Sequence, residues 1–291
     1  MSRSRATEVS TGKKPVSSDQ QGKIAGLAVV VMAAGLGKRM RSKQAKVLHQ
    51  VAGQAMVLYS VGLGLRVAGD RVAVVVGHQA DLVRGVIDRV TSGKSGSSSV
   101  AIVEQREQLG TGHAVLQSRS VFAVGKRGAP SSYLILNGDT PLLQERTVRE
   151  LLRVHEANRA TVTVLTAVLE DASGYGRVVR AHSAERGVSR IVEDRDANAE
   201  EQGICEINVG TYVVDGEFLF SALEKLDPSN AQGEYYLTDI IHLAAEQGRR
   251  VSAVVLDNPD EGLGVNTRRQ LAEAEQVVDR KSTRLNSSHR H

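Results

Sequence analysis

Between residues 27 and 256 the chain alternates short β-branched runs with longer stretches whose apolar side chains recur every three or four positions, and no other feature narrows the possible folds as much. The runs cover residues 27–34, 71–77, 99–103, 133–137, 161–169, 207–214 and 250–256. Several are apolar almost without interruption, as strands must be when both faces of their sheet are covered. Between them, residues 80–90, 144–158, 217–226 and 235–247 carry helical spacing. Strand and helix in this repeated order predict an α/β fold whose mostly parallel sheet is covered by helices. A ligand then belongs beyond the carboxyl ends of the strands.

The 291 residues are 41% hydrophobic and 24% charged, a globular balance that supports one large α/β domain or two smaller ones. The net charge of +4 sits in the tails: residues 1–23 hold five bases against two acids, and residues 281–291 hold three bases and no acid. The body between them therefore carries two more acids than bases. With 3% aromatics and no Trp, it lacks both the basic surface and the stacking platforms of a nucleic-acid binder. Residues 1–23, rich in Ser, Gln and Lys, are expected to be a disordered basic arm. The apolar run at 24–34 is far short of the ~20 residues of a membrane span, and Gly35-Leu-Gly-Lys-Arg stands where a signal cleavage site would need small residues. No membrane association is expected. A single cysteine, Cys205, cannot close an internal disulfide, which fits a reducing, cytoplasmic setting.

Several chemistries lack their markers. There is no H-E-x-x-H and no CxxC for zinc, and no G-x-S-x-G for a serine hydrolase. Gly93-Lys94-Ser95 mimics the end of a P-loop, but Asp88 stands where its first glycine belongs. Gly35-Leu36-Gly37 directly follows a predicted strand, where exposed backbone amides can approach a phosphate. A dinucleotide site would need a third glycine where Met40 stands and an acid about twenty residues on, so an NAD-dependent oxidoreductase is a weak alternative. Lys38, Arg39, Arg41, Lys43 and Lys46 crowd the same loop. Alone, such a run fits a solvated face; after a first strand and two glycines it also fits a cradle for a highly anionic ligand such as a nucleoside triphosphate.

Met32-Ala-Ala-Gly35-Leu-Gly37-Lys-Arg39-Met40, followed by Lys46-Val-Leu-His49, resembles the signature of sugar-nucleotide pyrophosphorylases. More narrowly, the chain is similar to the uridyltransferase domain of the bacterial bifunctional N-acetylglucosamine-1-phosphate uridyltransferases / glucosamine-1-phosphate acetyltransferases. The likeness continues through Gln105 with Gln108-Leu-Gly-Thr-Gly-His113, Asn137-Gly-Asp139, Gly174-Tyr-Gly-Arg177, Ile191-Val-Glu193, Glu206-Ile-Asn208, Gln232-Gly-Glu-Tyr-Tyr236 and Gly264-Val-Asn266.

This resemblance implies a Rossmann-like sheet of the nucleotide-diphospho-sugar transferase type and a reaction joining UTP to N-acetylglucosamine 1-phosphate with release of pyrophosphate. It implies that Met32, Ala33, Ala34 and Gly35 line the nucleotide, that Arg39 and Lys46 hold phosphates, and that Gln105, Gly110 and Thr111 read uracil. A Gln amide offers the donor and acceptor that a uracil edge asks for. Asn137 and Gly138 complete the substrate set, Gly176, Glu193 and Asn208 meet the sugar, and Asp139 with Asn266 holds Mg²⁺, the implied cofactor. Outside the resemblance, Asp139 after a strand is more often a turn or cap residue, Gln105 has a surface position at a strand end as its lesser alternative, and Glu193 beside Asp194 and Asp196 is simply an exposed acid. Lys38 and Ala45 depart from the Thr and Pro frequent in the family. A pyrophosphorylase for another nucleotide or sugar 1-phosphate, or a nucleotide-binding module without turnover, stays open. The expected organisation is the arm, a nucleotidyltransferase domain at 24–267, a truncated linker helix at 268–280 and a non-native tail at 281–291. The acetyl-transferring hexapeptide repeats are not present in this sequence, so neither acetyl transfer nor trimerisation is expected.

Overall fold

The computed structural model describes residues 22–92, 100–122, 124–125, 127–181 and 187–288, apart from the side chains of Lys38 and residues 281–288. Strand β1 (Leu27–Ala33) shows why the sheet forms. Its side chains alternate between two cores: Leu27, Val29 and Val31 enter one, Ala28 and Val30 the other. A short hairpin, β2 (Gln50–Val51) and β3 (Gln54–Ala55), leads into helix α1 (Met56–Ala68). There follow β4 (Val72–Val76), α2 (Ala80–Thr91), β5 (Val100–Glu104), α3 (Thr111–Gln117), β6 (Ser132–Asn137), α4 (Glu145–Ala157) and β7 (Val162–Val168). Next come β8 (Arg177–Arg180), β9 (Val188–Val192), α5 (Ala199–Gln202), β10 (Glu206–Asp215), α6 (Gly216–Leu223), α7 (Asp239–Glu246), β11 (Val251–Val255) and α8 (Arg268–Ser288).

The main sheet runs β11-β7-β10-β6-β1-β4-β5. Along this path the pairings are parallel except those of β10, which lies antiparallel between β6 and β7; off the path, the antiparallel β8–β9 hairpin joins the sheet through β10. Helices α1, α2 and α4 cover one face through Val57, Val61, Ile87 and Leu151, while α3, α6 and α7 cover the other through Val115, Phe218, Leu219 and Ile240. A third, smaller cluster joins Met56 and Val51 to Val265 and Ala274, seating α8 against the β2–β3 hairpin. Register brings the functional ends to one edge: Met32 pairs with Asn137, Ala33 with Val76, and Val76 with Glu104.

The seven predicted strands are all found within one or two residues, although the expected first residue of the third, Ser99, lies outside the described residues. The helix expected from residue 235 begins instead at Asp239, because Tyr235 is held extended: its N–H donates to Leu109 O at 2.8 Å and its carbonyl accepts from Gly112 N at 2.8 Å. The last helix, expected to stop at 280, continues to Ser288; no Gly or Pro stands in residues 281–288 to break it. Most of the expected disordered arm, residues 1–21, lies outside the described residues. Among the described residues no helix is long and apolar enough to cross a membrane.

Candidate active site

The loop after β1 is shaped by glycine and by a side chain that the motif did not contain. Met32 is half-buried, Ala33 and Ala34 are buried and Gly35 is exposed, so the strand end surfaces within four residues. Gly37 has φ +60°, and a Cβ there would lie 2.5 Å from the Lys46 Cβ. Glycine at 37 is thus the condition for Lys46 to pack where it does. Gln79, itself left-handed at φ 57°, braces the loop by accepting from Ala45 N and donating to Lys43 O, both at 2.7 Å. Its only sequence signal is its place at the start of a predicted helix, two residues after Gly77.

Lys46 turns inward. Its Nζ donates to Asp139 Oδ2 and, at 3.0 Å, to Asn266 Oδ1. Both ends of the ion pair are 15% exposed, so water screens it only in part. Asp139 follows β6, where Gly138 N donates to Met32 O at 2.9 Å and a Cβ at 138 would come within 3.1 Å of that carbonyl. The Asn137 carbonyl accepts from Ser60 and Thr140, and its amide donates to Val209 O. On the far side, Val265 N donates to Asp139 O at 2.9 Å, and Gln270 caps the start of α8 by accepting from Asn266 N at 2.8 Å. The packing of α8 therefore sets the position of Asn266. The carboxylate and amide oxygens both reach one ammonium nitrogen, so a hard cation could contact both. Among the described residues no three His, Cys, Asp or Glu side chains cluster as a metal site, so such an ion would draw its other ligands from water or phosphate. Arg39 lies apart from this pair, exposed and close to Gly174.

Gln105 follows β5 and is 4% exposed. Its Nε2 is 3.1 Å from Gly110 O and 3.0 Å from His113 Nδ1, so both amide hydrogens are directed at the protein. This corrects the expectation that Gln105 offers both donor and acceptor to a base: only Oε1 is left to accept. Gly110, at φ 109°, presses against the Tyr235 backbone, and Thr111 Oγ1 accepts from Leu237 N at 2.9 Å. Gln108 donates to Ala34 O at 3.0 Å and ties this segment to the β1 loop.

The opposite wall brings together Gly176, Glu193 and Asn208. A Cβ on Gly176 would lie 3.5 Å from Glu193 Oε2 and 3.6 Å from the Asn208 Cβ. Asn208 precedes a bulge in β10, where its Nδ2 donates to Tyr212 OH at 2.7 Å and its Oδ1 accepts from Gly210 N at 2.9 Å. Burial pushes the Glu193 carboxyl above its usual range, partly offset by the hydroxyl of Thr238, which donates to Oε1 at 3.1 Å. Burial also raises the Tyr175 hydroxyl, with Arg39 lowering and Asp139 raising it further, so this ring links the basic loop to the Asp139 side. Buried Arg177 fixes the wall by donating to Tyr175 O and, at 3.0 Å, to Asp194.

A mostly parallel sheet, a basic glycine loop after its first strand and a carboxylate after the neighbouring strand define a nucleotide-handling enzyme class. The chain belongs to the nucleotidyl transferase family, whose model matches residues 28–261. It is 45% identical over 253 residues to the bifunctional protein GlmU of Halalkalibacterium halodurans, covering 87% of this chain and 52% of that one. The corresponding figures for bifunctional protein GlmU of Streptococcus thermophilus are 42%, 260 residues, 89% and 53%. The chain spans about half the length of the curated relatives it matches. In fold it resembles a Bacillus anthracis protein assigned as a glucose-1-phosphate thymidylyltransferase and solved with sucrose, with a TM-score of 0.64 and 18% identity over 86% of this chain and 94% of that one.

Proposed function

We propose that the chain transfers the uridylyl group of UTP to N-acetylglucosamine 1-phosphate, giving UDP-N-acetylglucosamine and pyrophosphate, in the cytoplasm. The observation that carries this reading is the inward Lys46, held by Asp139 and Asn266 beside the Gly35–Gly37 backbone; the likeness to the GlmU proteins supports the choice of substrates. Met32, Ala33, Ala34 and Gly35 line the nucleotide, with Gln105, Gly110 and Thr111 at the base. Asn137 and Gly138 form the floor, and Gly176, Glu193 and Asn208 receive the sugar.

The sugar phosphate is already ionised at neutral pH, so its oxygen can attack the α-phosphorus without a general base. The obstacle is repulsion between two anions and the charge that builds on the departing pyrophosphate. Lys46 and Arg39 neutralise that charge and align the partners. Asp139 and Asn266 would hold Mg²⁺, which when bound adds electrostatic stabilisation of the phosphates. Lys46 already engages Asp139 Oδ2 and Asn266 Oδ1, so an ion held by these two residues would compete with its ammonium for their oxygens.

Coupled detection of pyrophosphate from UTP, N-acetylglucosamine 1-phosphate and Mg²⁺ tests the reading. Turnover that depends on all three supports it. Preference for dTTP, CTP or glucose 1-phosphate would reassign the substrates, and UTP binding with no pyrophosphate over hours would leave a binding module.

A further inference from the structure

His113, in the first turns of α3, has a hydrogen-bonding problem whose solution bears on nucleotide choice. Its Nδ1 lies 3.0 Å from Gln105 Nε2, and its Nε2 lies 3.0 Å from Gln117 Nε2. A neutral imidazole has one lone pair and one N–H, so it cannot accept from two amide groups at once, and the cation can accept from neither. One amide must present oxygen to the ring. Gln105 cannot be that one: turning it would set Oε1 against the Gly110 carbonyl, now 3.1 Å from its nitrogen, in a side chain only 4% exposed. Turning Gln117 also brings Oε1 toward a carbonyl, that of His113, now 3.1 Å from its nitrogen, but this side chain is only half-buried and can swing clear of it, whereas buried Gln105 cannot, so Gln117 is the amide that turns. The ring is thereby fixed with its lone pair on Nδ1 and its proton on Nε2.

We propose that His113 is a positioning residue for pyrimidine selectivity: its Nδ1 lone pair locks the Gln105 amide so that Oε1, and not the amide nitrogen, faces the base. This rests on the reading that Gln105 meets the base. Uracil presents a donor at N3, which Oε1 accepts, whereas cytosine presents a lone pair there, which Oε1 repels. A freely turning amide would serve both. The lock is thus directed against CTP as much as toward UTP.

The test compares kcat/KM for UTP and CTP in the wild type, His113→Phe, His113→Asn and Gln105→Leu. His113→Phe keeps the ring shape without an acceptor and should lower the UTP/CTP ratio about fivefold, the weight of one neutral hydrogen bond, through the nucleotide KM with kcat little changed. His113→Asn places an amide oxygen near the Nδ1 position and should restore the ratio. An unchanged ratio in His113→Phe alongside a lowered one in Gln105→Leu overturns the role of His113 and leaves the base reading standing. An unchanged ratio in Gln105→Leu overturns the base reading itself. If His113→Asn behaves like His113→Phe, the effect is packing and the lock is refuted. Imidazole ¹⁵N shifts of the wild-type protein supply a check free of folding defects: the Nε2–H tautomer is required, and Nδ1–H overturns the proposal.

Discussion

Gly37→Ala is the sharpest single perturbation of the site, because the same motif supplies its own control. At φ +60° an alanine costs about 1–2 kcal/mol in backbone strain. Its Cβ would also stand 2.5 Å from the Lys46 Cβ, so one of the two segments must retreat by about 1 Å to reach ordinary contact. Retreat of Lys46 takes Nζ away from Asp139 and from Asn266 Oδ1, now at 3.0 Å. The penalty is thus divided between stability and function. We expect a melting temperature about 5 °C lower, from roughly 2 kcal/mol in a domain of this size. We expect pyrophosphate release to slow about a hundredfold, the usual effect of displacing one charged group from a transition state. At Gly35 φ is unexceptional and nothing lies within 4 Å of an added Cβ, so Gly35→Ala should melt within about 1 °C of the wild type. Equal melting of the two variants, with full turnover in Gly37→Ala, would refute the claim that Gly37 exists to admit Lys46.

Lys46→Ala and Asp139→Ala should each reduce pyrophosphate release about a hundredfold, and near wild-type turnover in either removes that residue from the mechanism. Without the competing ammonium, Lys46→Ala should also bind Mn²⁺ more tightly than the wild type in the absence of nucleotide, as read by electron spin resonance; unchanged affinity refutes the shared oxygen. Burial lowers the His155 imidazole from its usual 6.5 and Thr163 Oγ1 lies 2.9 Å from Nδ1, so below that pH the unfolded chain binds the extra proton and the fold loses stability as pH falls. His155→Asn should flatten the melting profile between neutral and mildly acidic pH, and an equal slope in both chains contradicts this. The Glu193 carboxyl is raised above its usual 4.5, so its contribution to stability is present below that pH and is lost as pH rises through the higher folded value. Glu193→Gln should accordingly gain in melting temperature over the wild type as pH rises above 4.5, while binding sugar phosphate less well; a gain that does not grow with pH argues otherwise.

The parallel core was legible because buried strands such as β4, with all five residues buried, leave an unbroken valine-rich run. The β8–β9 hairpin was not, since Arg177, Arg180 and Arg190 interrupt its apolar positions; Arg177 is buried only because Asp194 and the Tyr175 carbonyl receive it. Helix α1 carries Gly62 and Gly64, which weaken a helical reading, yet a Cβ at Gly64 would come within 3.0 Å of Val29 Cγ1, so glycine there allows the helix to approach the sheet closely. The site residues Lys46, Asp139 and Asn266 could be named from motifs, but their mutual pairing spans up to 220 positions and has no local signature. Gln79 acts through Lys43 and Ala45 more than thirty positions away, whereas Tyr175, Arg177 and His113 act through nearer partners, and only the folded arrangement shows what any of them holds.

The reversed direction of β10 has a consequence for how the protein is made. This strand fills the gap between β6 and β7, yet it emerges from the ribosome after both of them. Until it inserts, the nascent chain exposes two inner strand borders with unpaired amides and carbonyls, each able to template with a neighbouring polypeptide. The same late insertion delivers Asn208 to the wall it shares with Gly176 and Glu193, so closing the sheet and completing that wall are a single event.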